Sequence, residues 1–85
     1  MRAEEIFNYL DKTERLMVTV GNEEKFTFNR DEPEKLKKAV ESLIETITKH
    51  NSFVRVENYY SENNSYIIDV TSLGSGKRLI RYEFF

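Results

Sequence analysis

Cysteine is absent from this sequence and histidine occurs once, at position 50. Without thiols the chain has neither disulfides nor thiolate metal sites, which suits a reducing compartment and makes the cytoplasm the expected location. Glycine is scarce, with three among 85 residues. There is no Gly-rich phosphate loop and no Gly-x-Ser-x-Gly elbow, and Gly74-Ser75-Gly76 joins two strand-like runs, where it reads as a turn. Long apolar runs are missing too. The unbroken ones are only a few residues, against about 20 for a membrane-crossing helix, so no membrane role is expected. The N-terminus begins Met1-Arg2-Ala3-Glu4-Glu5, acidic where a secretory signal is basic and then apolar, which argues against export by that route.

A strong charge of one sign is also lacking. The formal net charge is −2, and it is split unevenly: residues 1–34 hold five bases and nine acids, whereas residues 35–85 hold eight bases and six acids. A polyanion binder draws its affinity from phosphate neutralisation and usually carries a much larger basic excess, so nucleic acid is a less favoured partner than protein. Hydrophobic residues at 39% and charged residues at 33% are ordinary for a folded domain and exclude disorder. Eighty-five residues form one domain, 1–85. A chain of this size buries only roughly 60–65% of the surface its unfolded form exposes, so modest stability is expected.

Periodicity supplies the fold. Ala3, Ile6, Phe7 and Leu10 lie at helical spacing and predict a short helix over 2–12. Leu16, Val18 and Val20 alternate with Arg15, Met17 and Thr19, Gly21-Asn22-Glu23-Glu24 follows as a turn, and Phe26 and Phe28 alternate with Lys25, Thr27 and Asn29, predicting a hairpin with its aromatic side inward. Asp31 is placed to cap a helix with Pro33 in its first turn and Glu34 at capping-box spacing. Leu36, Ala39, Val40, Leu43, Ile44 and Ile47 then mark an amphipathic helix of about five turns, ending near His50 and Asn51, with Glu34–Lys38 and Glu45–Lys49 on its outer side. Three strands follow, at 52–60, 65–72 and 77–85. The expected order is αββαβββ, an α+β fold with an antiparallel sheet of about five strands packed against the long helix and the short N-terminal one.

One register of the last three strands keeps their apolar residues on a common face. It aligns Val54, Val70 and Ile80, then Val56, Ile68 and Tyr82, then Asn58, Tyr66 and Phe84. The same register puts Arg55, Asp69 and Arg81 in one row on the other face, flanked by Phe53, Tyr59, Ile67, Leu79 and Phe85. These eight residues are the candidate binding surface. Exposed together, the five apolar ones would form a patch of the kind that marks a partner site, unless the helix over 2–12 covers them.

The chemical inventory points away from catalysis. His50 falls at a helix end, where such residues make terminal contacts. Glu23-Glu24 and Asp31-Glu32 with Glu34 lack the alternating spacing of a calcium loop, so no metal or cofactor is expected. The expected function is a small non-catalytic intracellular protein that binds another protein as an inhibitor, adaptor or immunity-type factor, of the kind a phage or mobile element encodes. Were the final strand a sheet edge, it would also pair with a second copy to form a homodimer. Two other readings use the same residues or the acidic half. One is a nucleic-acid-binding regulator, using Arg55, Lys77, Arg78 and Arg81 with the aromatics. The other is an acidic DNA mimic built on Glu4, Glu5, Glu23, Glu24, Asp31 and Glu32.

Overall fold

The computed structural model describes residues 6, 8, 11–22, 24–49 and 53–85, with Ile47 described by its backbone alone. Five strands, β1 (Arg15–Val20), β2 (Glu24–Asn29), β3 (Val54–Tyr60), β4 (Tyr66–Ser72) and β5 (Arg78–Phe84), form one sheet in the order β2-β1-β5-β4-β3. Every neighbouring pair is antiparallel. One helix, α1 (Pro33–Lys49), packs on one face, so the fold is a mainly antiparallel sheet with a single described helix. The helix read over 2–12 lies largely outside the described residues. Ile6, Asn8, Asp11 and Lys12 have helical backbone, and buried Ile6 joins the core on the α1 side.

Local chemistry explains these elements. Pro33 is the first helical residue, where its missing N–H has no intrahelical acceptor to lose. Glu32, and not Asp31, therefore occupies the N-cap position: its carbonyl accepts from the Leu36 N–H at 3.1 Å and its carboxylate pairs with Lys35 at 2.7 Å. At the other end Lys49 reaches back to Glu45 at 2.6 Å, as the spacing predicted. Leu36, Val40 and Leu43 are buried against Leu16, Val18, Ile68, Val70, Tyr82 and Phe84 of the sheet. Burying such side chains is worth roughly 1.5–3 kcal/mol each, so this layer dominates the stability. Tyr82 lies within it, and burial pushes the pKa of its hydroxyl up against the opposing influence of Thr46 and Ser42 of α1.

The register over β4 and β5 is the predicted one: Tyr66 faces Phe84, Ile68 faces Tyr82, Asp69 faces Arg81 and Val70 faces Ile80. Between β3 and β4 it differs by two residues. Val56, and not Val54, faces Val70, while Asn58 faces Ile68 and Tyr60 faces Tyr66. The connecting turn sets this offset. The Ser61 N–H donates to the Ser65 carbonyl at 2.8 Å, and Asn64 takes a positive φ of 64°, leaving Glu62, Asn63 and Asn64 as the loop. Asparagine tolerates this left-handed conformation better than most residues. Tyr60 then stacks on Tyr66 with ring centroids 5.3 Å apart.

The sheet order also corrects the placement of the final strand. β5 lies between β1 and β4, so its backbone is paired on both sides, and a homodimer through a β5 edge is ruled out. Phe85 extends this pairing: its N–H donates to the Arg15 carbonyl and its carbonyl accepts from the Glu14 N–H, each at 2.8 Å. The strands at the two edges of the sheet are β2 and β3.

Candidate binding face

α1 and the buried apolar residues occupy the face of the sheet that carries Val18, Ile68, Val70 and Tyr82. The opposite face is built by the odd-numbered residues of β3, β4 and β5, and among the described residues no second layer lies on it. Its centre is a hydrogen-bonded group. Asp69 on β4 accepts from Arg81 Nε at 2.7 Å, from Arg81 Nη2 at 3.0 Å and from the Tyr59 hydroxyl at 2.8 Å. Arg81 Nη2 also donates to the Tyr59 oxygen at 3.1 Å, closing a triangle across three strands.

Asp69 is only 7% exposed, yet its carboxylate is satisfied. Burial pushes its pKa up, but the hydrogen bonds from Arg81 and Tyr59, helped by the charge of Arg78, outweigh this and hold the carboxyl below its ordinary value. The same contact with Asp69 raises the pKa of the Tyr59 hydroxyl and of the Arg81 guanidinium. The result is an ionised aspartate that fixes two large side chains, the exposed Tyr59 and the half-buried Arg81. A planar guanidinium bound through two nitrogens is a strong and oriented contact.

The eight predicted residues do not form one patch. Tyr59, Asp69 and Arg81 come together as described. Arg55 lies on the same face but opposite Thr71, because of the shifted register, and pairs with Glu57 on its own strand at 3.0 Å. Glu57 takes the place opposite Asp69. Ile67, expected to be exposed, is 5% exposed in its row between Tyr59 and Glu83. Phe53 precedes β3 and, with Leu79, lines an open groove of about 470 Å³ that also involves Thr46 of α1, Val70 and Ile80. Phe85 sits at the other end, with the Arg15 guanidinium 4.5 Å from its ring centre. The predicted continuous apolar patch is thus broken into separate pieces by geometry.

Two residues of this face escaped the alternation rule. The register of β4 and β5 shifts after Val70, so that Thr71 faces Arg78 and Leu79 is the additional residue of a bulge. Arg78 thereby joins the open face, with Arg55 on the other side of Thr71. Nothing in the sequence around Leu79 announces the bulge. Ser65 and Glu83 are a further polar pair at 2.8 Å.

On the α1 side a second groove, about 320 Å³, runs between β2 and the helix and is lined by Phe26, Phe28, Val18 and Ala39 with Lys35 and Lys38 at hand. Phe26, predicted to face inward, is on the core side but 47% exposed beside this groove. Among the described residues no group of three or more His, Asp or Glu side chains gathers to hold a metal ion, and no helix is long and apolar enough to cross a membrane. His50, Glu4, Glu5 and Glu23 lie outside the described residues. Comparison with family models, curated proteins and solved structures finds no match to this chain.

Proposed function

We infer that this protein is a binding module without catalysis of its own, and that it contacts a protein partner through the face of β3, β4 and β5 opposite α1. The observation that supports this reading is the Tyr59–Asp69–Arg81 triangle. Tyrosine and arginine are the residue types most enriched at binding hot spots, and holding them in place before contact reduces the ordering cost of association. The charges of the face also favour protein over nucleic acid. Arg81 is answered by Asp69 and Arg55 by Glu57, and Arg78 lies within reach of the Asp69 charge, so the face presents both signs side by side and not the large basic excess of a phosphate-backbone binder. An inhibitor, adaptor or immunity-type role in the cytoplasm is the functional class we assign to such a module.

The experiment is capture of partners by the tagged protein from its native lysate, with and without nuclease, followed by affinity measurement on the captured protein. The expected result is a nuclease-resistant partner whose binding falls at least about tenfold for Tyr59→Ala, as a hot-spot loss of about 1.4 kcal/mol or more would give. Thermal unfolding of the variant should remain cooperative. Capture lost on nuclease treatment moves the assignment to nucleic acid, and undiminished binding by Tyr59→Ala excludes this face.

A further inference from the structure

Among the described residues, the outer edge of β3 is a seven-residue strand edge whose own sequence matches itself. The Leu73 N–H donates to the Phe53 carbonyl and the Ser61 N–H to the Ser65 carbonyl, so the odd-numbered residues of this strand direct their backbone groups toward β4. In an antiparallel ladder the intervening residues direct theirs the opposite way. Val54, Val56 and Asn58 therefore turn their N–H and C=O groups outward, and among the described residues no strand pairs with them. This edge contains no proline, no lysine and no bulge, the usual devices that prevent strand addition.

We propose that β3 pairs antiparallel with β3 of a second copy, about a two-fold axis at Val56 that stands perpendicular to the sheet. Such an axis keeps each face of the sheet on the same side in both copies, so the facing residues must share parity, and the register is decided by side chains. An axis at Arg55 opposes two arginines and an axis at Glu57 opposes two glutamates. An axis at Asn58 sets Glu57 against Tyr59. With the axis at Val56, Arg55 of each copy faces Glu57 of the other, and the two charged pairs are reciprocal, as an isologous interface requires. Val56 faces its own counterpart and Val54 faces Asn58, all with outward backbone groups, so three successive positions form hydrogen-bonded pairs. Arg55 and Glu57 occupy the intervening, closer-spaced positions, where side chains interact most strongly.

The Arg55–Glu57 contact within one strand, with side chains 62% and 50% exposed, becomes half of a four-charge square across the axis. This inference is independent of the partner assigned to the open face, because it is read from self-association alone.

Sedimentation equilibrium over a concentration series tests it. The wild-type protein is expected to show a monomer–dimer equilibrium, and Arg55→Glu, which places like charges opposite each other twice, is expected to weaken the dimer at least about tenfold. The double variant Arg55→Glu with Glu57→Arg exchanges the two signs and is expected to restore association to near the wild-type value. Thermal unfolding of each variant at a fixed low concentration checks that the monomer fold is kept. A wild-type chain that stays monomeric at every concentration overturns the proposal. So does a dimer indifferent to Arg55→Glu, or one that the double exchange fails to restore.

Discussion

Asp69 and Val70 are consecutive on β4 and both are buried, yet they meet opposite surroundings. Val70 enters hydrocarbon beneath α1, while Asp69 enters a ring of guanidinium and hydroxyl groups on the opposite face. The alternation of a strand produces both environments from adjacent residues. The closed face is held by volume and area, so its tolerance to change is set by the cavity a substitution leaves. The open face is held by satisfaction of a few polar groups, and its tolerance is set by whether a partner is left alone. One sheet therefore has two failure modes, and substitutions on its two sides separate them.

The strongest break is expected on the closed side. Leu43→Ala removes a fully buried side chain from the contact of α1 with the sheet and should cost about 2–5 kcal/mol by urea denaturation. A cost below about 1 kcal/mol would mean that α1 is not packed as described.

Asp69→Asn comes next. It keeps the volume but leaves Arg81 without its charged acceptor, and a loss of about 1–3 kcal/mol at neutral pH is expected. The pH dependence carries its own signature. The Asp69 carboxyl is lowered in the folded state, so its contribution is fully present above the unfolded value of about 3.9 and is lost as pH falls through the lower folded value. The difference in stability between wild type and Asp69→Asn should shrink on acidification through that range. A constant difference down to pH 2 would place the effect in packing and not in the charge.

Tyr59→Phe is the gentler test of the same triangle. It deletes one hydroxyl that donates to Asp69 and accepts from Arg81, at the exposed rim, and a cost of about 0.5–1 kcal/mol is expected in thermal unfolding. Smallest of all is Arg55→Ala. Its partner Glu57 and the arginine itself are more than half-exposed or nearly so, and stability measured at low protein concentration should change by no more than about 0.5 kcal/mol.

Much of this arrangement was legible in the residues themselves. The strands, the long helix and the pairing of β4 with β5 follow from alternation, since that register sets Tyr66, Ile68 and Val70 against Phe84, Tyr82 and Ile80 on one face. The pairing of β3 was not legible for a definite reason. A slip of two residues moves no side chain to the other face, so hydrophobic patterning cannot distinguish the two registers, and the decision passes to the turn at Asn64. The candidate face was read partly. Tyr59 and Arg81 were placed on the correct side, but Arg55 was assigned the position opposite Asp69 that Glu57 holds. Ile67 is buried although its row neighbours are Tyr59 and Glu83, and the bulge at Leu79 is a matter of local backbone geometry. Neither leaves a mark in the spacing of apolar residues.

The position of β5 between β1 and β4 also has a consequence during synthesis. β1 is complete at Val20, but the strand that fills its second side begins only at Arg78. At translation rates of about 5–20 residues per second the nascent hairpin waits roughly 3–12 seconds with one flank unpaired. Over that interval the chain has an open strand edge that the finished protein lacks, and the closing step that removes it joins residues about 60 positions apart, a long-range contact of the kind that slows folding.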